Sequence, residues 1–136
     1  MHTTRITVRF GETDMAGHVN NAVYLSYLEE ARLNFLQDIL QISEFPLILA
    51  SAHLDFIRQV FFPDRVTIET GICRIGQSSI DMVHQLYSDS QHVLALNSLV
   101  TLVFFDYAAQ KPAPVPLDWR SKFESQWTAP PQSRTR

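Results

Sequence analysis

One cysteine, Cys73, stands in 136 residues, so no internal disulfide can form and a reducing compartment suits the chain. No apolar run approaches the ~20 residues of a membrane-spanning helix. Met1 to Arg5 passes straight into an alternating segment, without the apolar stretch of a secretion signal. The expected location is the cytoplasm, with no membrane association. Positive charge is also short: 11 Lys and Arg stand against 14 Asp and Glu, a net charge of −3, and the cations are scattered rather than gathered into a phosphate-neutralising stripe. Nucleic acid is therefore not an expected partner. The five histidines lack metal-ligand spacing such as a pair one helical turn apart, and no Gly-x-Ser-x-Gly elbow is present. Neither a metal nor a serine nucleophile of that kind is expected, and no cofactor is implied. Cys73 has apolar neighbours in a strand-like run, which favours a buried, inert thiol.

What is present fits one domain, with 46% apolar and 18% charged residues. Thr4 to Phe10 alternates, placing Ile6, Val8 and Phe10 on one face of a strand that ends at Gly11. Glu12 to Val19, with Gly17 and short polar side chains, reads as a loop, and Asn20 or Asn21 offers an N-cap to a helix running to about Leu40. Helical pitch puts Tyr24, Leu28, Ala31, Phe35 and Ile39 on one face, flanked by Leu25 and Leu36. Arg32 lies inside that apolar arc, where an unpaired charge is costly, and Glu29 is its candidate partner.

After Pro46, β-branched and aromatic residues predict strands over 47–57, 66–75, 79–88 and 93–105. The breaks at Gly76-Gln77-Ser78 and Ser88-Asp89-Ser90-Gln91 suit hairpins, hence an antiparallel sheet. A small helix is predicted within 117–127. The domain spans 1–128, with a flexible tail over 129–136. A strand, a loop, one apolar helix and four further strands make an α+β domain, one sheet wrapped about one central helix.

The most informative stretch is Arg9-Phe10-Gly11-Glu12-Thr13-Asp14-Met15-Ala16-Gly17-His18-Val19-Asn20-Asn21, followed by Tyr24-Leu25 and Tyr27-Leu28-Glu29-Glu30-Ala31-Arg32. Its chemistry is coherent without a name. A carbonyl under nucleophilic attack gathers negative charge on oxygen, and the unpaired backbone N–H groups at a helix start are fixed donors for such charge. Asp14 lies just before that start, within reach of the same carbonyl. A loop Asp is also a common turn former, and Asn20 and Asn21 are natural caps, so each residue has a structural reading beside the chemical one.

The stretch resembles the signature of the hot-dog thioesterases, notably the 4-hydroxybenzoyl-CoA thioesterase-like group and the bacterial long-chain acyl-CoA thioesterases. Asp55-Phe56-Ile57-Arg58, Asp64 and the turn Ile75-Gly76-Gln77-Ser78-Ser79 extend the resemblance over nearly the whole chain. It implies a five-stranded antiparallel hot-dog fold and hydrolysis of acyl-CoA or acyl carrier protein thioesters. Asp14 would be general base or nucleophile, and the Asn21 N–H the oxyanion contact. His18 matches a histidine that plant acyl carrier protein thioesterases use, but Ala16 stands where those enzymes carry Asn, which favours an Asp-centred mechanism. Gly17, Asn20, Tyr24, Arg58 and Ser78 are the expected substrate-binding residues. Arg65 and Arg74, like Arg58, could meet coenzyme A phosphates, though only Arg58 fits the family pattern. The resemblance also implies a homodimer, pairing again into a homotetramer, with the thioester between subunits. A hot-dog dehydratase and a non-catalytic acyl-thioester binder are the alternatives. The position of the motif before the helix argues against the first, and the presence of Asp14 against the second.

Overall fold

The computed structural model describes residues 1–131. In chain order these form β1 (His2–Thr7), a 3-10 turn (Phe10–Glu12), α1 (Asn21–Leu40), β2 (Leu47–Phe56), β3 (Arg65–Ile75), β4 (Ser79–Ser88), β5 (Val93–Asp106), β6 (Lys111–Pro112) and α2 (Leu117–Phe123). The strands pair antiparallel in the order β1-β3-β4-β5-β2, with β6 on the end of β5. This sheet with α1 packed on it is the hot-dog arrangement. Among the described residues, no helix is long and apolar enough to cross a membrane.

Three local differences from the sequence reading have physical causes. β1 stops at Thr7: the Val8 N–H makes one last in-register bond to the carbonyl of Asp64 (3.0 Å), and the Glu12 carboxylate then takes the Arg9 N–H (2.8 Å). Phe10 thus turns outward, 74% exposed, although it shares parity with buried Val8. A sixth strand exists because Asp106 Oδ1 accepts the N–H groups of Ala108 and Ala109, closing a turn that returns Lys111–Pro112 to β5. Leu25, expected beside the core, is 47% exposed, and Tyr27 is buried in its stead.

α1 begins as the sequence suggests. The Asn20 side chain accepts the Ala22 N–H (3.0 Å), and Gln41 closes the other end in the left-handed region at φ 55°. Its buried face holds Tyr24, Tyr27, Leu28, Ala31, Arg32, Phe35, Leu36 and Leu40. That face packs on two apolar clusters. One contains Leu28, Ala31, Ile68, Leu86 and Leu96, the other Phe35, Leu36, Ile72, Met82 and Val100.

Between the clusters runs a transverse polar row. Thr70 of β3 pairs with His84 of β4, which pairs with Ser98 of β5, and all three are at most 1% exposed. Thr70 Oγ1 and His84 Nδ1 are hydrogen-bonded at 3.0 Å. Arg32 comes down from the helix at the same level, and its positive charge acts on His84. Burial lowers the pKa of Arg32, Glu29 being the opposing charge that raises it, but among the described residues the two form no ion pair within 4 Å.

At the other edge the C-terminal segment replaces β1 where that strand runs out. His2 pairs with Thr70, and beyond it Trp127 bridges Ile72 in parallel while the Thr128 N–H donates to the Ile72 carbonyl (2.8 Å). Of the tail expected over 129–136, residues 132–136 lie outside the described residues.

Candidate active site at the start of α1

The loop between the 3-10 turn and α1 is tied by backbone bonds at both ends. The Asp14 N–H donates to the His18 carbonyl (2.8 Å) and the Gly17 N–H to the Asp14 carbonyl (3.1 Å), with Gly17 at φ 80°, a conformation that suits glycine. Farther along, the Val19 N–H donates to the Val60 carbonyl (2.8 Å) and the Asn20 N–H to the Glu12 carbonyl (2.9 Å). Residues 60–62, which follow β2, thereby lie against the loop: His18 bridges Phe61 and the Phe62 N–H donates to the Gly17 carbonyl (3.4 Å).

Asp14 is exposed, and its two carboxylate oxygens differ. Oδ1 accepts the N–H groups of Ala16 (2.9 Å) and His18 (3.1 Å). Oδ2 accepts no hydrogen bond among the described residues. One oxygen is therefore an anchor, and the other is available as base or nucleophile. His18 meets Asp14 through its backbone N–H rather than its ring, which stands edge-on to Phe61 with centroids 4.8 Å apart.

At the helix start the Ala22 N–H is taken by the Asn20 side chain and the Val23 N–H by the Asn20 carbonyl (2.9 Å). The Asn21 N–H, first of the helix, has no acceptor among the described residues. A free N–H at the positive end of a helix of 20 residues is a donor for developing negative charge. Around the carboxylate the surface is apolar: Met15, Phe61 and Phe62 are exposed with Phe10, whose ring meets Phe62 edge-on at 5.6 Å. A rim of this kind is what an apolar ligand or a second chain would cover.

The expected site residues divide by position. Asp14, Gly17, His18, Asn20 and Asn21 share one loop and helix end, and Arg58, exposed and with a guanidinium that among the described residues bonds only the Ile57 carbonyl (3.1 Å), follows β2 at the same end of the molecule. Tyr24 does not share that surface. It is 1% exposed, its hydroxyl accepts the Val60 N–H (3.2 Å), and burial raises its pKa, so within one chain it holds the loop's neighbour in place. Ser78 lies beyond the opposite end of β3, a strand of 11 residues and so roughly 35 Å long, where its carbonyl accepts the Phe104 N–H (2.7 Å).

Two further cations are already engaged. Arg65 pairs with Asp89 (2.9 Å) and Arg74 with Asp81 (2.7 Å), which lowers the pKa of Asp81 and removes both arginines as free phosphate ligands. Cys73 is half-buried rather than buried, and burial pushes its thiol up, away from the reactive thiolate. Sequence reasoning passed over Glu12, whose carboxylate takes the Tyr27 O–H (2.7 Å). Its spacing from Arg9, a terminal turn closed by the third residue's acid, was the available signal.

Fold and site together define the class of hot-dog thioester hydrolases. The model of the thioesterase-like superfamily matches residues 8–123, and the chain belongs to that superfamily. The long-chain acyl-CoA thioesterase FadM of Escherichia coli is 25% identical over 126 residues, 89% of this chain and 96% of FadM. The uncharacterized protein YsmA of Bacillus subtilis is 33% identical over 81 residues, and that match spans only 55% of YsmA. Among solved structures, a thioesterase of Thermus thermophilus complexed with coenzyme A and Zn superposes with a TM-score of 0.82 at 32% identity, covering 91% of this chain and 92% of that one.

Proposed function

We propose that the protein hydrolyses acyl-CoA thioesters, with Asp14 as the catalytic carboxylate and the Asn21 N–H as oxyanion donor. One observation carries the reading: an unencumbered carboxylate oxygen and an unoccupied helix-start N–H are held in one loop. The carbonyl oxygen of the thioester would face Asn21, and Asp14 would either deprotonate the attacking water, whose oxygen replaces sulfur on the carbonyl carbon, or attack that carbon itself to give a mixed anhydride that a water then hydrolyses. On either route the C–S bond breaks and coenzyme A leaves as the thiol, taking the proton that water supplies. Coenzyme A is the thiol carrier favoured by the relatives, one of which is named for acyl-CoA and another of which holds coenzyme A. The test is thiol release, followed with a thiol-reactive dye, across short, long and aromatic acyl-CoA substrates. Turnover of at least one is expected; none on any chain length, with folded protein, removes the reading.

The site is completed by a second copy. β2 has ten residues and pairs only with β5 among the described residues, leaving an open edge along which Ile48 and Leu49 are exposed. Two-fold antiparallel pairing of β2 with its counterpart would continue the sheet. It would also set the Leu47 end of one chain beside the Phe56 end of the other. Because Leu47 pairs with Phe104 and Phe104 bonds Ser78, the partner's Ser78 moves toward this chain's Asp14. The distance that separates Ser78 from Asp14 within one chain thus ceases to count against it. Sedimentation at low micromolar protein is expected to show at least a dimer. Co-expressed Asp14→Asn and Ser78→Glu chains are expected to recover activity that neither variant has alone. A fully active monomer sinks the two-chain site.

A further inference from the structure

We infer that Glu12 is the positioning residue of this site, setting the helix start against Asp14 through Tyr27 and Asn20. The inference rests on the thioesterase reading above but on different atoms. Glu12 Oε1 accepts both the Tyr27 O–H (2.7 Å) and the Arg9 N–H (2.8 Å), while the Glu12 carbonyl accepts the Asn20 N–H (2.9 Å). A single residue therefore grips the exit of β1, the cap of α1 and the second turn of α1. Tyr27 is only 3% exposed, so its hydroxyl is fixed by packing before it reaches Glu12. The bond is charge-assisted, the stronger kind of hydrogen bond. Burial first, then the bond to Glu12, raises the Tyr27 pKa, so the hydroxyl stays a donor throughout the neutral range.

The loop from Thr13 to Val19 hangs between these fixed points, and Thr13 bridges Val19 across its base. Freeing Glu12 would let the Asn20–Asn21 corner drift from Asp14 without removing either reacting group. Catalytic geometry tolerates displacements of only ~0.5 Å, so the loss should fall on turnover rather than on binding.

Three variants test this: Glu12→Ala removes the carboxylate's hold on Tyr27 and Arg9 and leaves the Asn20 bond resting on the backbone carbonyl alone, Glu12→Gln keeps an acceptor at Oε1 without the charge, and Tyr27→Phe removes only the hydroxyl. Glu12→Ala is expected to lower kcat about tenfold or more with KM within about threefold, and Glu12→Gln to recover most of it. Unchanged kcat in Glu12→Ala overturns the inference. So does equal loss in Glu12→Gln, which would make the charge itself the active element. If Glu12→Ala does not fold, Tyr27→Phe decides by the same split. If the wild-type protein cleaves no thioester, the thioesterase reading fails by itself, and amide hydrogen exchange then judges Glu12. The Asn20 N–H is expected to exchange about tenfold faster in Tyr27→Phe while β4 amides are unchanged; equal Asn20 exchange overturns the assignment.

Discussion

Replacing Asp14 with asparagine is expected to lower kcat about a hundredfold or more, a loss of ~2.7 kcal/mol in transition-state stabilisation, and to leave the fold intact. The two oxygens of the carboxylate explain both halves. Oδ1, which holds the Ala16 and His18 N–H groups, is an acceptor that an asparagine can reproduce, so the loop keeps its shape. Oδ2, which carries no such bond, would become an amide nitrogen with neither basicity nor nucleophilicity. His18→Ala is expected to be milder, because the bond His18 makes to Asp14 comes from its backbone and survives the substitution. The check is steady-state kinetics with circular dichroism on both variants. Wild-type turnover in Asp14→Asn would take Asp14 out of the mechanism, and a greater loss in His18→Ala would move the chemistry to the imidazole.

The second large effect is on stability against pH. Burial first, and then the Arg32 charge, pushes the His84 pKa from 6.5 down to about 3. Below pH 6.5 the unfolded chain takes up a proton at this residue and the folded chain does not, so stability falls as pH falls. The contribution is complete above 6.5 and is lost progressively toward about 3, at up to ~1.4 kcal/mol per pH unit. Asp81, whose pKa is lowered, adds its own loss only below its ordinary 3.8, so the window from pH 6.5 to about 4.5 belongs to His84 among the shifted groups. Urea unfolding across that window is expected to show a decline of about 2 kcal/mol. His84→Gln should flatten the decline while lowering stability near pH 7, through the altered bond to Thr70. An equal slope in the variant would show that His84 is protonated in the folded state.

Much of the fold was legible because its strands alternate and its breaks are conventional. β4 occupies 79–88 as the pattern predicts, and α1 starts where Asn20 can cap it. What was hidden depends on the third dimension. Phe10 continues the parity of Ile6 and Val8, and that parity masks the one local sign of the outward curl, an acid at Glu12 three residues after Arg9, whose N–H it takes. Leu25 is as apolar as Leu28, and only the placement of the sheet decides that Tyr27 goes inward. The loop half of the candidate site was readable because its residues are contiguous. Tyr24 and Ser78 were not placed so easily, since a motif gives residue types and spacing but not whether a ring is buried or a turn lies at the other end of a strand.

The polar row across the middle of the core also marks the alignment of the strands. A one-residue slip in a sheet turns every side chain to the wrong face, but a two-residue slip keeps the faces and would be nearly degenerate in strands of uniform apolarity. Here it is not. Sliding β4 by two residues against β3 would carry His84 from Thr70 to Ile68 or Ile72, strand its Nδ1 in an apolar layer, and set Leu86 or Met82 against the Thr70 hydroxyl. Either slide of β4 on β3 breaks the Thr70–His84 hydrogen bond and leaves both groups buried and unpaired, at ~1–3 kcal/mol apiece. The row that contributes least to hydrophobic burial is therefore what admits a single alignment of β3 and β4.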